Sequence, residues 1–189
     1  MAWNEKIKKE LGYCGEQVFI GYNTIFTCPE KIFLSDRVRI DPFCLITTQL
    51  KVSSNSHICS HAILGGGSDQ IIFLEGWNFI GYGSKLFTAS EDYSGEFGPV
   101  GEFWGNNKII RGNIIFNEYS GVASDVFVFP GVQLPVGCTI GAKSLIYTKH
   151  KLIPWSVYYG NPPKLIKVRH FNKVKEFAED PNFLKHHRW

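Results

Sequence analysis

Along this chain an aliphatic residue returns at every sixth place: Val122, Val128, Leu134, Ile140 and Ile146, with Phe116 one step earlier. A second series runs Leu34, Ile40, Ile46, Val52, Ile58 and Leu64, and a third runs Leu74, Ile80 and Leu86, while Ile20, Phe26 and Ile32 open the pattern in a shifted phase. Four places after these anchors stands a small or slender residue: Cys44, Ser56, Ala62, Ser84, Ser120, Val126, Val132, Cys138 and Ser144. An α-helix repeats near 3.6 residues and a half-buried strand at 2, so neither sustains a period of six. A three-sided coil does, because each side supplies one short strand and one corner, and three sides close a turn. The pattern therefore predicts an all-β fold, a single-stranded, three-sided parallel β-helix, with the anchors inside and the small residues at the tight corners. Coils stacked at the usual strand spacing of roughly 4.8 Å let each backbone pair with the coils above and below. Burying one anchor contributes about 1.5 to 3 kcal/mol, so stability concentrates in the files of anchors. A β-sandwich with chance spacing is the competing reading.

Two interruptions stand out. The step from Leu64 to Leu74 is ten and takes in Gly65-Gly-Gly-Ser-Asp69, and the step from Leu86 to Phe116 is thirty and takes in Phe87-Thr-Ala-Ser-Glu-Asp-Tyr-Ser-Gly95. Insertions in a solenoid are expected as loops on its face, where function is commonly placed. At the ends, Asn4 can cap a short helix over Glu5 to Leu11 stopped by Gly12; Val174, Phe177 and Ala178 keep helical spacing, and Asp180-Pro181 reads as the start of another short helix. The expected organisation is one domain over 1–189: an N-terminal helix in 1–17, a β-helix in 18–148 with an inserted loop at about 87–113, and a C-terminal cap with helices in 149–189, covering an otherwise open coil edge.

Composition narrows the function. The formal charge of +3 is not that of a chain that wraps nucleic acid. No apolar run approaches the roughly 20 residues needed to cross a bilayer, and the first residues lack a signal-peptide pattern, so a cytoplasmic protein without a membrane span is expected. Cys14, Cys28, Cys44, Cys59 and Cys138 have no C-x-x-C spacing, and free thiols in a reducing compartment are the simplest account.

The coils, the stretch Ile58-Cys-Ser-His-Ala-Ile-Leu-Gly-Gly-Gly67, the inserted segment from Phe87 to Gly95, the unit Phe129-Pro-Gly-Val132 and the run Pro154-Trp-Ser-Val-Tyr-Tyr-Gly-Asn-Pro-Pro-Lys164 carry a resemblance. Over roughly 18–169 the chain resembles the hexapeptide-repeat sugar acyltransferases of surface-polysaccharide biosynthesis, with galactoside and maltose acetyltransferases as more distant relatives. The resemblance implies a left-handed coil, which spacing alone does not give. It also implies a homotrimer with sites between neighbouring prisms, acyl-coenzyme A (most simply acetyl-CoA) as co-substrate in the groove near the last coils, and an amino sugar, nucleotide-linked as a first expectation, entering near the inserted loop.

Acyl transfer needs a base for the nucleophile's proton and a donor for the developing oxyanion. His57, just before the anchor Ile58, should point outward and is the first candidate base, with an adjacent-coil or subunit-contact role as the plain alternative; His61 ranks below it. Glu91 and Asp92 stand in the inserted loop where galactoside-type relatives carry a catalytic histidine, so they are the candidate groups for collecting the acceptor's proton, against a merely solvated acidic loop. Gly66, Gly67, Tyr93 and Tyr119 are the candidate sugar contacts. Tyr119 departs from the family, many members of which have histidine there, and the departure leaves open another base or lost activity. For the donor, whose phosphates call for backbone N–H groups and cations, the resemblance points to Ala123, Ser124, Ala142 and the turn Gly160, Asn161, Pro162. Lys143, Lys149, Lys151, Lys164, Lys167 and Arg169 cluster toward the same end, where a basic solubilising cap is the alternative. No metal site is expected: a zinc hydratase of this fold needs three converging histidines, and His57, His61 and His150 lie on separated turns. An O-acetyltransferase acting on a carbohydrate hydroxyl and a non-catalytic scaffold remain the alternatives, and serine acetyltransferase fits less well for want of a large helical N-terminal region.

Overall fold

The computed structural model describes residues 5–92 and 109–180. Its strands stack into a parallel prism with three faces, and the register follows the anchors. On the first face Ile20, Ile40, Ile58, Ile80, Val122, Ile140 and Tyr158 align in one file. The second face aligns Phe26, Ile46, Leu64, Leu86, Val128 and Ile146. The third aligns Cys14, Leu34, Val52, Leu74, Phe116 and Leu134. Nearly all of these side chains are fully buried and form one continuous core. The small residues four places on are buried too, from Cys44 and Ser56 to Cys138 and Ser144.

The corners explain why a small residue is needed there. Three places before an anchor the backbone turns through positive φ, as at Asn55, His61, Trp77, Tyr119, Asp125, Lys143 and Trp155. Such a conformation costs a non-glycine residue about 1 kcal/mol, and the neighbouring coil holds it by hydrogen bonds: the amide of Tyr119 donates to the carbonyl of Gly76 (3.1 Å) and that of Lys143 to Ser124 (3.0 Å). The next residue then points inward at the bend, where only a slender side chain fits. Where it is serine, its hydroxyl satisfies the turn, as Ser120 Oγ donates to the carbonyl of Asn117 (2.6 Å) and Ser144 Oγ to that of Gly141 (2.7 Å).

The third face departs from the simple hexad. Strands Leu45–Val52 and Ile63–Leu74 run from the second face onto the third without a tight turn, and a second buried row appears there: Ile32, Leu50, Ile72 and Ile114. Ile32 thus belongs to this inner row, and Leu34 carries the anchor file; the shifted phase comes from two extra residues absorbed beside the 3-10 turn Pro29–Lys31. The glycine-rich insertion is likewise no free loop. It lies inside strand Ile63–Leu74 as a bulge, the register passing from Thr48 opposite Gly67 to Gln49 opposite Ile71.

At the ends, the first helix, α1, spans Glu5–Lys8, shorter than the expected Glu5 to Leu11, and the second, α2, spans Phe171–Glu179. The expected Asn4 cap and the helix starting at Pro181 lie outside the described residues. Strand Lys164–Val168 folds back antiparallel onto Ser156–Tyr159, so the last parallel edge of the first face is paired. Among the described residues no helix is long and apolar enough to cross a membrane.

Candidate functional site

The long insertion leaves the prism at the corner between the second and third faces. Its root is a two-stranded antiparallel ribbon, Ala89–Glu91 with Ile109–Arg111. Thr88, fully buried, fixes that root: its amide and hydroxyl both donate to the carbonyl of Gly65 (2.8 and 3.1 Å), its Oγ1 meets Thr48 Oγ1 at 3.1 Å, and its carbonyl accepts from the amide of Gly112 (2.9 Å). Gly66 is required here, because a Cβ on it would lie 2.1 Å from Thr88 Oγ1 at a φ of +132°. Bulge and ribbon are thus one unit.

A depression of about 300 Å³ opens on each side of the ribbon. One is lined by Gly66, Gly67, Asp69, Ser90, Glu91 and Arg111. The other is lined by Glu91, Asp92, Ile110, Phe129, Pro130 and Tyr147, with the Phe129 and Tyr147 rings stacked at 4.2 Å. The structure therefore brings Gly66, Gly67, Glu91 and Asp92 together. Tyr93 lies outside the described residues. Sequence reasoning missed Thr48, which stands two places after an anchor, and Thr88 and Arg111, which lie inside the long insertion, where spacing carries no signal. It also missed Gln70 in the bulge, whose Oε1 is the one buried side-chain oxygen or nitrogen without a hydrogen-bond partner among the described residues. Buried acceptors are rarely left so.

His57 is elsewhere. It stands on the first face, one coil above Arg39, with its Nε2 at 2.9 Å from Oδ2 of Asp41 and 3.8 Å from Sγ of Cys59. Asp41 is buried (3% exposed), and its other carboxylate oxygen accepts from Nε of Arg39. Burial, then the charge of Asp41, pushes the Cys59 thiol up to about 11. His61 occupies a corner and stacks on Phe43 at 5.2 Å, and His150 accepts from the amide of Tyr147 at the opposite corner (3.0 Å).

Tyr119 belongs to the corner between the third and first faces, in a column of rings: 6.2 Å from Trp77 and 5.8 Å from Trp155, with Trp155 in turn edge-on to Phe171. Gly137 lies between Tyr119 and Trp155 in the stack of coils, and any Cβ there would strike the Trp155 ring at 2.4 Å. Burial, then nearby Glu118 and Glu179, raises the Tyr119 phenol.

The donor candidates divide. Ala123 and Ser124, Ala142 and Lys143, and Gly160, Asn161 and Pro162 follow one another along the corner between the first and second faces, tied by the bonds from the Lys143 amide to the Ser124 carbonyl (3.0 Å) and from the Gly160 amide to Ser144 Oγ (2.9 Å). Lys164 begins the return strand beside this column. Lys149 is instead at the ribbon corner, over the Tyr147 ring at 5.4 Å. Arg169 is half-buried, its guanidinium donating to the carbonyls of Tyr119 (3.0 Å) and Gly137 (2.7 Å) and to Thr139 Oγ1 (2.9 Å). That makes it a clasp between the C-terminal segment and two adjacent coils, and burial lowers its pKa.

No family model matches the chain. It is 28% identical over 178 residues to a dTDP-4-amino-4,6-dideoxy-D-glucose acyltransferase of Escherichia coli, covering 89% of this chain and 90% of that one. It superposes on AntD, an N-acyltransferase of Bacillus cereus solved with dTDP and 3-hydroxybutyryl-CoA, with a TM-score of 0.83 and 26% identity over 97% of this chain and 96% of that one. The same relative has been solved as a point variant with dTDP-4-amino-4,6-dideoxyglucose and coenzyme A, at a TM-score of 0.84 and 26% identity over the same shares of each chain. A maltose O-acetyltransferase of Clostridium difficile, 14% identical with a TM-score of 0.56 over 87% of this chain and 73% of that one, shares the fold. With its hexad files, ribbon insertion and end-to-end likeness to these proteins, the chain is similar in fold and over nearly its whole length to hexapeptide-repeat sugar acyltransferases.

Proposed function

We propose that this chain transfers an acyl group, acetyl in the simplest case, from acyl-coenzyme A to the amino group of a nucleotide-linked deoxyamino sugar, in the cytoplasm and in the service of surface-polysaccharide assembly. The observation that carries this reading is the ribbon root, where Glu91 and Asp92 stand beside twin depressions in a chain similar throughout to N-acyltransferases solved with dTDP, an amino sugar and coenzyme A. In the reaction the amine nitrogen attacks the thioester carbonyl, the C–S bond breaks, and the coenzyme leaves as a thiol. One amine proton must be removed. Asp92 and Glu91 orient the amine and accept that proton, Gly66 and Gly67 border the sugar, and the column from Ala123 to Pro162 borders the pantetheine and nucleotide, with Lys143 and Lys164 facing its phosphates.

Within one chain the acceptor corner and the donor corner lie on opposite edges of the second face, and His57 lies beyond, on the first. A homotrimer places the donor corner of one prism beside the ribbon corner of the next. The outward row of the second face supports such a contact, since it is apolar at Ile25, Leu45, Ile63, Phe127 and Leu145, with Ile25 exposed and the others partly so.

Thioester consumption with detection of free thiol tests the reading, run with acetyl-CoA and 3-hydroxybutyryl-CoA across nucleotide-linked amino sugars and matching sugars bearing only hydroxyls. Turnover is expected with an amino sugar, and Asp92→Asn is expected to cost at least about 100-fold, the usual scale for a proton-transfer group. His57→Ala separates the candidate bases: loss of rate with coenzyme binding retained makes His57 the base, and an unchanged rate assigns the proton to the ribbon carboxylates. Turnover confined to hydroxyl acceptors would favour the O-acetyltransferase, and none with any acceptor, coenzyme A binding included, would favour a scaffold.

A further inference from the structure

We propose that Asp41, His57 and Cys59 form a site on the first face for one divalent transition-metal ion of the zinc type. The three ligand atoms, Asp41 Oδ2, His57 Nε2 and Cys59 Sγ, all lie within 4.8 Å of one another, with Nε2 at 2.9 Å from the oxygen and 3.8 Å from the sulfur. Zinc bonds of about 2.0 to 2.3 Å in a tetrahedron set ligand atoms roughly 3.3 to 3.7 Å apart, so the two spacings from Nε2 already lie within tenths of an ångström of that geometry. The scaffold holds these positions without the metal. Asp41 and Cys59 follow the paired anchors Ile40 and Ile58, and their amides donate to the carbonyls of Ile58 and Ile80, each at 2.8 Å.

The donor set selects the metal. One carboxylate, one imidazole and one thiol suit zinc or cobalt, whereas calcium and magnesium take six or more oxygens. Arg39 strengthens the case, because it engages Oδ1 of Asp41 and so turns the other oxygen toward the cluster, as outer partners do in metal sites. On binding, Cys59 releases its thiol proton to solvent, His57 binds as the neutral ring, and the two anionic ligands offset the double positive charge, the Arg39 guanidinium leaving the cluster one charge positive on its solvent-facing side. Asp41 and Cys59 are nine-tenths buried while about a third of the His57 side chain is exposed, so the fourth position faces water from the histidine side. This proposal does not rest on the acyl-transfer reading, and a carboxylate–histidine pair serving catalysis or packing alone would leave the sulfur with no part in it.

The full chain, stripped with a chelator, is titrated with cobalt chloride. One equivalent per chain is expected to develop the near-ultraviolet thiolate-to-cobalt absorption, which zinc chloride then bleaches. Cys59→Ser is expected to abolish that band, His57→Gln to weaken binding at least about 100-fold, and Arg39→Lys to weaken it about 10-fold. Thermal melts identify variants that remain folded. Absence of the band at stoichiometric cobalt in the folded chain overturns the proposal, as does a band that survives unchanged in both Cys59→Ser and His57→Gln.

Discussion

Gly66 and Gly67 are adjacent and both have positive φ, yet their surroundings differ. At Gly66 an added Cβ collides with the hydroxyl of Thr88 and lies 2.6 Å from the amide of Ala89, whereas at Gly67 nothing stands within 4 Å. Gly67→Ala is therefore expected to cost only the left-handed backbone term, about 1 kcal/mol. Gly66→Ala adds overpacking of about 1 to 3 kcal/mol. Denaturant titration of the two variants checks the order, and equal losses would mean that bulge and ribbon do not pack as one unit. Tyr119 shows the reverse case, a residue whose sequence context suggests chemistry while its surroundings give it packing. Its ring bridges Trp77 and Trp155, which gives a tyrosine at this corner a structural reason that a single sequence cannot display.

At the scale of elements, the strand through the glycine bulge and the ribbon it anchors are the parts the hexad does not describe. A six-residue period says where coils repeat and nothing about how an insertion returns to them. The return is made by Thr48 and Thr88, whose hydroxyls share a buried contact and tie the ribbon to Gly65. Thr88→Val keeps the shape and removes the hydroxyl. It leaves the Thr48 hydroxyl with the Gln70 carbonyl alone, at 2.9 Å, and a stability loss of about 1 to 2 kcal/mol is expected. Its effect on turnover should be larger than on melting, because Glu91 stands three residues along the loosened ribbon; turnover that merely tracks the folded fraction would separate the ribbon from the site. The anchor files need no such detail, since each is written in the sequence as a spacing.

For the whole molecule, the arrangement of corners is the decisive fact. Donor candidates and acceptor candidates lie on different corners of one prism, so in the proposed homotrimer a complete site would draw one corner from each of two neighbouring copies. Two inactive variants, Asp92→Asn at the ribbon corner and Ala142→Trp at the donor corner, are expected to restore activity when unfolded together and refolded as mixed trimers. Random assortment gives about a quarter of the sites both intact corners. No recovery above the two parents, in particles of three times the 21.4 kDa chain mass, would place the whole site within one subunit.

The sequence by itself determined the prism, its core and the existence of two insertions, because burial of an aliphatic side chain every sixth residue is a local requirement repeated along the chain. It also singled out Gly66, Gly67, Glu91 and Asp92, which converge because both insertions leave neighbouring coils at one corner. Tertiary structure decided what depends on stacking: that Ile32 joins an inner row, that the glycines form a bulge, that Arg169 is a clasp, and that Asp41 meets His57 and Cys59. Those three are eighteen or fewer residues apart, yet only the parallel register of adjacent coils, set by the collective packing of the anchors, brings their polar atoms to one point.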